Sequence, residues 1–197
     1  MQELLVSGKA KSDLLPVLKT VNQWICWSYS NHPLRSDKVP VDPTDWDDTK
    51  AQFQAKPYND SDIWLDYESA IEKATTEEEI DGVGFVPMSI QVCFIDIDDC
   101  INEVGQVTDE VHQIIYGSES YSEISPSGNG IHIVLQGGAP AYGSSSYSEG
   151  PDIEIYDGSW VTITQRHISR TPTEVRGNVG FTKEICDKYD IRRPPDW

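Results

Sequence analysis

The sequence predicts an α+β domain in which antiparallel strands carry the functional groups and short helices cover their apolar side. Two observations lead there. Three segments, QVCFIDID (91–98), GIHIVLQ (130–136) and DIEIY (152–156), alternate apolar with polar or ionisable residues at a period of two. Around them stand short helical stretches with recognisable caps, the clearest at Thr108, with Asp109 and Glu110 in the first turn. Length and composition agree: 197 residues, 38% hydrophobic, with six Trp, nine Tyr and 12 Pro, describe a folded chain rich in strands and turns.

Residues 1–9 read as a frayed lead-in. Ser12 or Asp13 is placed to cap a helix through Asn22, with Leu14, Leu15, Val17, Leu18 and Val21 inward and Pro16 in its first turn. QWICWSYS (23–30) alternates as a strand with aromatic weight on both faces. Residues 31–58 read as one long polar loop, functional or solvated, holding Arg35 and Lys38. Asp60–Glu79 follows as a helix, and DGVGFVPM (81–88) as a strand forming a hairpin with the one at Gln91.

The stretch Gln91–Cys100 organises the rest. Asp96 and Asp98 leave one face of an apolar strand about 7 Å apart by Cα position. Carboxylates so placed either hold a cation or mark a strand running out into a solvated loop; the stretch alone leaves both open. After the Thr108 helix comes a brief strand at Tyr121–Ile124, then the tight turn SPSGNG (125–130) and a strand that points His132 away from Ile131 and Ile133. Residues 137–150 form a low-complexity Gly/Ser/Tyr loop, read as flexible. DIEIY then points Glu154 away from Ile153 and Ile155, SWVTITQRH supplies a further strand, a helix capped at Thr182 runs to Tyr189, and RRPPDW reads as the start of a linker.

Asp96 and Asp98, His132 and Glu154 thus share one strand phase. If their strands are neighbours, one face of the sheet buries its isoleucines against helices and the other carries three carboxylates and an imidazole. Such a group of carboxylates calls for divalent ions, two Mg²⁺ or Mn²⁺, and suits a triphosphate. Taken singly, each element has a structural reading: a satisfied strand histidine, an ordinary glutamate, a hairpin turn.

The formal net charge of −18, from 33 acidic against 15 basic residues, disfavours nucleic acid at low salt. In concentrated salt the Debye length falls to about 3 Å and local contacts decide instead, so a halophilic source is the expectation. No apolar run is long enough to span a bilayer and no signal-peptide pattern is present, so the expected setting is cytoplasmic, without a membrane partner. The four cysteines form no CxxC pair, which speaks against a zinc ribbon or redox motif.

In combination, FIDIDD (94–99), SPSGNGIH (125–132) and EIYDGSWVTIT (154–164), with QWICW and KVPVDP (38–43) upstream, resemble the primase-polymerase branch of the archaeo-eukaryotic primase superfamily, of the virus and plasmid replication type. The resemblance covers roughly residues 20–170. It implies an RRM-like antiparallel catalytic sheet with helices on one face and a smaller N-terminal α/β unit. Within one catalytic domain over 1–197, the subregions are then 10–80, 81–170 and a C-terminal helix with linker at 171–197. It also implies metal-dependent nucleotidyl transfer, with Asp96, Asp98 and Glu154 holding the metals and His132 contacting the triphosphate. Ser127, Lys38 and Arg166 are candidates for phosphate or template contacts. The implied partners are a DNA template and primer, NTP or dNTP, and a replicative helicase in cis or trans, since the chain has no GxxxxGK followed by Ser or Thr.

Two positions depart from the family pattern: Gly130, a serine in many primases, and Gln165, where relatives commonly have glycine. Two other functions compete. A replication-initiation module would bind DNA on the same fold without turnover. A metal-dependent sugar-nucleotide transferase would use Asp-x-Asp but leave His132 and Glu154 unexplained.

Overall fold

The computed structural model describes residues 1–30, 37–141, 143–144 and 150–192. In chain order they form β1 (Gln2–Glu3), β2 (Trp24–Tyr29), β3 (Lys38–Asp47), β4 (Gln52–Ala55), α1 (Tyr67–Thr76), β5 (Gly82–Phe85), β6 (Val92–Asp98), β7 (Gln106–Val107) and α2 (Asp109–Gly117). Then follow β8 (Tyr121–Ile124), β9 (Ile131–Gln136), β10 (Gly143–Ser144), β11 (Asp152–Tyr156), β12 (Val161–Ile163) and α3 (Val179–Lys188). The fold is α+β with antiparallel sheets, as the strand patterns predict.

The chain packs as two compact units, each with a five-stranded sheet. One comprises Met1–Val17, Ile90–Gly158 and Thr164–Trp197, with strand order β10-β11-β6-β9-β8. The alternation read from the sequence explains its core. Ile95 and Ile97 of β6, Ile131, Ile133 and Leu135 of β9, and Ile153 and Ile155 of β11 all leave the same face. There they pack with Val111, Ile114 and Ile115 of α2 and Ile185 and Cys186 of α3. Each such side chain contributes about 1.5–3 kcal/mol by leaving water. Thr108 caps α2, its hydroxyl accepting from the Val111 N–H at 3.2 Å.

The other unit comprises Leu18–Ser89 and Ser159–Ile163, with strand order β12-β5-β2-β3-β4 and α1 packed against β2 and β5. Trp24 is fully buried, its ring edge-on to Tyr67 at 5.0 Å and to Phe85 at 5.5 Å. Gly84 is required where β12 crosses β5, since a Cβ there would lie 2.8 Å from both the Val161 carbonyl oxygen and the Trp160 ring.

Several expectations are corrected. The hairpin between residues 81–88 and Gln91 does not exist, because β5 pairs with β2 and β12 while β6 pairs with β9 and β11. β5 and β12 thus belong to the sheet that holds β2, while residues 1–17 pack in the unit that holds β6. The helix expected over 12–22 is two short 3-10 turns, Lys11–Asp13 and Leu18–Thr20. Leu15, at φ 55, precedes Pro16, and the right-handed helical conformation is disfavoured for the residue before proline.

The lead-in is not frayed: β1 pairs with β7, Leu4 joins the core, and Ser7 N–H donates to the His167 carbonyl at 2.8 Å. The loop read over 31–58 contains β3 and β4, disguised by Pro40 and Pro43, with a register irregularity between Asp42 and Trp46. The helix over 60–79 shortens to a 3-10 turn at Ser61–Ile63 and α1, capped by Asp66, and the last helix is capped by Asn178 rather than Thr182. Arg35, most of the 137–150 loop's Ser/Tyr tip and residues 193–197 of the expected linker lie outside the described residues. No helix among the described residues is long and apolar enough to cross a membrane.

Ile95 lies fully buried on the central strand of its sheet. Ile95→Ala is expected to cost about 2–5 kcal/mol, read as a lowered urea midpoint at fixed KCl concentration.

Candidate active site

The face of β11-β6-β9-β8 opposite the isoleucines carries one continuous row. The register sets Glu154 against Asp96, Asp96 against His132, and His132 against Glu123, so four ionisable side chains follow one another across four strands. Opposed residues in such a ladder lie roughly 5 Å apart at Cβ. In the next row Asp152 faces Asp98, both exposed. On the other side Tyr156 faces Phe94, rings 5.7 Å apart, which gives the row an apolar neighbour. The four residues singled out in the sequence, Asp96, Asp98, His132 and Glu154, are thus assembled on one face of adjacent strands.

His132 is held on both sides. Its Nε2 lies 3.7 Å from Asp96 Oδ1 and its Nδ1 lies 3.3 Å from Glu123 Oε1, and the side chain is only 3% exposed. Glu123 is the residue that sequence reasoning missed. Fully buried, it accepts at Oε1 from the Thr164 N–H (2.9 Å) and at Oε2 from the Gln165 N–H (2.8 Å) and the Tyr121 hydroxyl (2.8 Å). The signal was present: Glu123 and His132 stand one residue outside Ile124 and Ile131, the pair flanking the SPSGNG turn, so a hairpin there must oppose them.

The turn is built by its own side chains. Ser125 N–H donates to the Gly130 carbonyl at 2.9 Å, and Gly128 takes the left-handed conformation at φ 92. Ser127 Oγ lies 2.9 Å from Ser125 Oγ and donates to Asn129 Oδ1, while the Asn129 amide reaches Asp99 Oδ1 at 2.5 Å, tying the turn to the end of β6. Arg166 donates through Nη2 to the Ser125 carbonyl, which puts a guanidinium against the turn. Lys38 belongs to the other unit, on β3 opposite Tyr29, its ammonium 6.0 Å from the centre of the Trp27 ring.

Electrostatically the row is a concentration of negative charge. The Glu154 carboxyl is pushed above its usual range by partial desolvation and then by the charges of Asp96, Asp98 and Asp152. The Tyr156 hydroxyl is likewise raised, by burial first and then by Asp96 and Glu154. The donor set consists of carboxyl oxygens, the chemistry that hard divalent cations take. Cys100 does not extend it: its Sγ lies 3.2 Å from the Ile97 carbonyl and burial pushes the thiol up to about 12, so it stays protonated. Among the described residues, no three His, Cys, Asp or Glu groups already converge at ligating geometry.

No family model matches the chain. The DNA Primase-polymerase of Nitratiruptor phage NrS-1 is 30% identical over an alignment of 158 residues that covers 76% of this chain and 20% of the phage protein. This chain is a relative of the DNA primase-polymerases. It spans only 20% of that relative's length.

The relationship makes the two departures informative, and both have local physical reasons. At Gly130 a Cβ would lie 2.8 Å from Ser125 Oγ and 3.0 Å from the Ile97 carbonyl oxygen, so the space a serine would need is filled by the hydroxyl of Ser125. At Gln165 the backbone adopts φ 59, the left-handed conformation that glycine provides freely, and its N–H is one of the donors to Glu123.

Gly130→Ser is therefore expected to destabilise this protein by about 1–3 kcal/mol in urea denaturation, because the Ile97 carbonyl cannot retreat from a paired strand. A second expectation concerns pH. A carboxyl raised in the folded state binds its proton at higher pH than in the unfolded chain, so it costs stability as pH rises through the carboxylate range. In EDTA, Glu154→Gln should raise the thermal midpoint at pH 7 and lose that advantage under acid conditions where both forms are neutral.

Proposed function

We propose that this chain is the catalytic portion of a DNA-dependent nucleotidyltransferase, a primase or DNA polymerase of a viral or mobile-element replication system. The observation that carries the proposal is the in-register row Glu154–Asp96–His132 on adjacent strands, beside a glycine turn backed by Arg166. The relationship to a phage primase-polymerase supports the same reading.

In this reaction the 3′-hydroxyl oxygen of a DNA primer attacks the α-phosphorus of a bound NTP or dNTP. The new P–O bond forms as the bond to the bridging oxygen breaks, and pyrophosphate leaves. Asp96, Asp98 and Glu154 would hold the divalent ions. Two Mg²⁺ or Mn²⁺ ions, when bound, supply charge neutralisation and polarise the attacking and leaving oxygens. The chain's own contribution is positional. His132, whose Nε2 lies along the row 3.7 Å from Asp96 Oδ1, would contact the triphosphate, and the Ser127 hydroxyl on the neighbouring turn is a further candidate for a phosphate contact. Arg166 holds that turn and adds positive charge to a face otherwise acidic. Lys38 is proposed for template contact.

A helicase in cis or trans is proposed because the 197 residues include no phosphate-binding GxxxxGK stretch, while the phage relative is about five times as long as the matched segment. The net charge of −18 makes high KCl the condition in which template binding is strongest relative to general repulsion, in keeping with a halophilic, cytoplasmic setting.

The test is extension of a labelled primer on a template, with NTPs or dNTPs and Mg²⁺ or Mn²⁺, across a KCl series. Incorporation by the wild type and none by Asp96→Asn, with unchanged circular dichroism, is the expected result. DNA retention without incorporation would make the chain a binding module, and metal-dependent turnover of sugar nucleotides would make it a transferase of another class.

A further inference from the structure

Glu123 has no part in the residues assigned above, yet it is the most completely bonded carboxyl around the site. It is 0% exposed, and its two oxygens accept from the Thr164 and Gln165 backbone and from the Tyr121 hydroxyl. Three donors from two segments fix the carboxyl in one orientation. With both oxygens already accepting, its fourth neighbour, His132 Nδ1 at 3.3 Å, completes the set as a donor. The opposite ring nitrogen then points along the row, 3.7 Å from Asp96 Oδ1.

We propose that Glu123 is a positioning residue for His132: it receives the Nδ1–H and so fixes which nitrogen of the ring, and in which direction, faces the row of carboxylates. A histidine on a strand can rotate about its side-chain bonds, and the two ring nitrogens are interchangeable in reach but not in hydrogen-bonding role. A buried acceptor behind Nδ1 removes that ambiguity, the arrangement that orients functional imidazoles in many sites. Placement of Glu123 is in turn set by Gln165, whose left-handed backbone turns the N–H inward, and by Tyr121 two residues before it on the same face of β8.

The kinetic half of this inference rests on the nucleotidyl-transfer reading; the spectroscopic half rests on the geometry alone. In the ¹⁵N-histidine-labelled protein, long-range proton–nitrogen correlation should find the proton of His132 on Nδ1, and an unprotonated Nδ1 would overturn the proposal. Glu123→Gln should blur or reverse that signature and raise the nucleotide KM by roughly 10–100-fold. In a His132→Ala background the same change should have no further effect on incorporation. A cost that simply adds in that background, or a lowered thermal midpoint with KM and kcat unchanged, would mean that Glu123 serves only the fold. Should Glu123→Gln not fold, the wild-type spectrum still decides. If the wild type incorporates no nucleotide, the functional reading falls while the ring measurement stands or fails by itself.

Discussion

Side chains on paired antiparallel strands alternate faces in step, so one choice of register decides the content of both faces at once. In the sheet β10-β11-β6-β9-β8 that register sets isoleucine against isoleucine, Ile153 to Ile97 and Ile95 to Ile133, and by the same stroke Glu154 against Asp96 and Asp96 against His132. The hydrophobic face is what fixes the register, since a slip by one residue would expose eight buried apolar side chains of β6, β9 and β11 and bury the carboxyls in their place. Core formation and assembly of the candidate site are therefore one event.

The polar face carries the strain of that arrangement. Asp96, Asp98 and Asp152 are close enough to Glu154 for their charges to raise its carboxyl, after the larger effect of partial burial. At the other end of the row the problem is solved internally: Glu123, wholly buried, is surrounded by donors. The row thus runs from a saturated, dry end at Glu123 to an unsaturated, wet end at Glu154, with His132 between. The dry end supplies rigidity.

How much of this was legible in the sequence follows from which signals were local. β6, β9 and β11 were readable because each repeats isoleucine at every second position, and α2 because Thr108, Asp109 and Glu110 announce its start. β3 was hidden because Pro40 and Pro43 argue against a strand, yet it lies inside its sheet, opposite β2 and β4, with the pairing interrupted after Asp42. The misplaced hairpin at residues 81–91 shows the limit of adjacency: nothing within DGVGFVPM states that Gly84 must lie against Val161 or that β5 will pair with β2. Glu123 was missed for a different reason. Its chemistry comes from Thr164 and Gln165, some forty residues away, and a single glutamate on a four-residue strand carries no pattern of its own.

The turn at 125–130 links these observations. It closes on Ile124 and Ile131, so its length determines that Glu123, rather than Ser122 or Ile124, stands behind His132. Its residues are committed to keeping that length: Gly130 because Ser125 and the Ile97 carbonyl leave no room for a side chain, Gly128 because the chain must turn through positive φ, Asn129 because its amide anchors the loop to Asp99. One residue more on either strand would exchange His132 for an isoleucine and bring the imidazole into the core. At Gly130 the absent side chain makes space for the Ser125 hydroxyl. The turn keeps a hydroxyl at the strand end while supplying it from the opposite side of the loop.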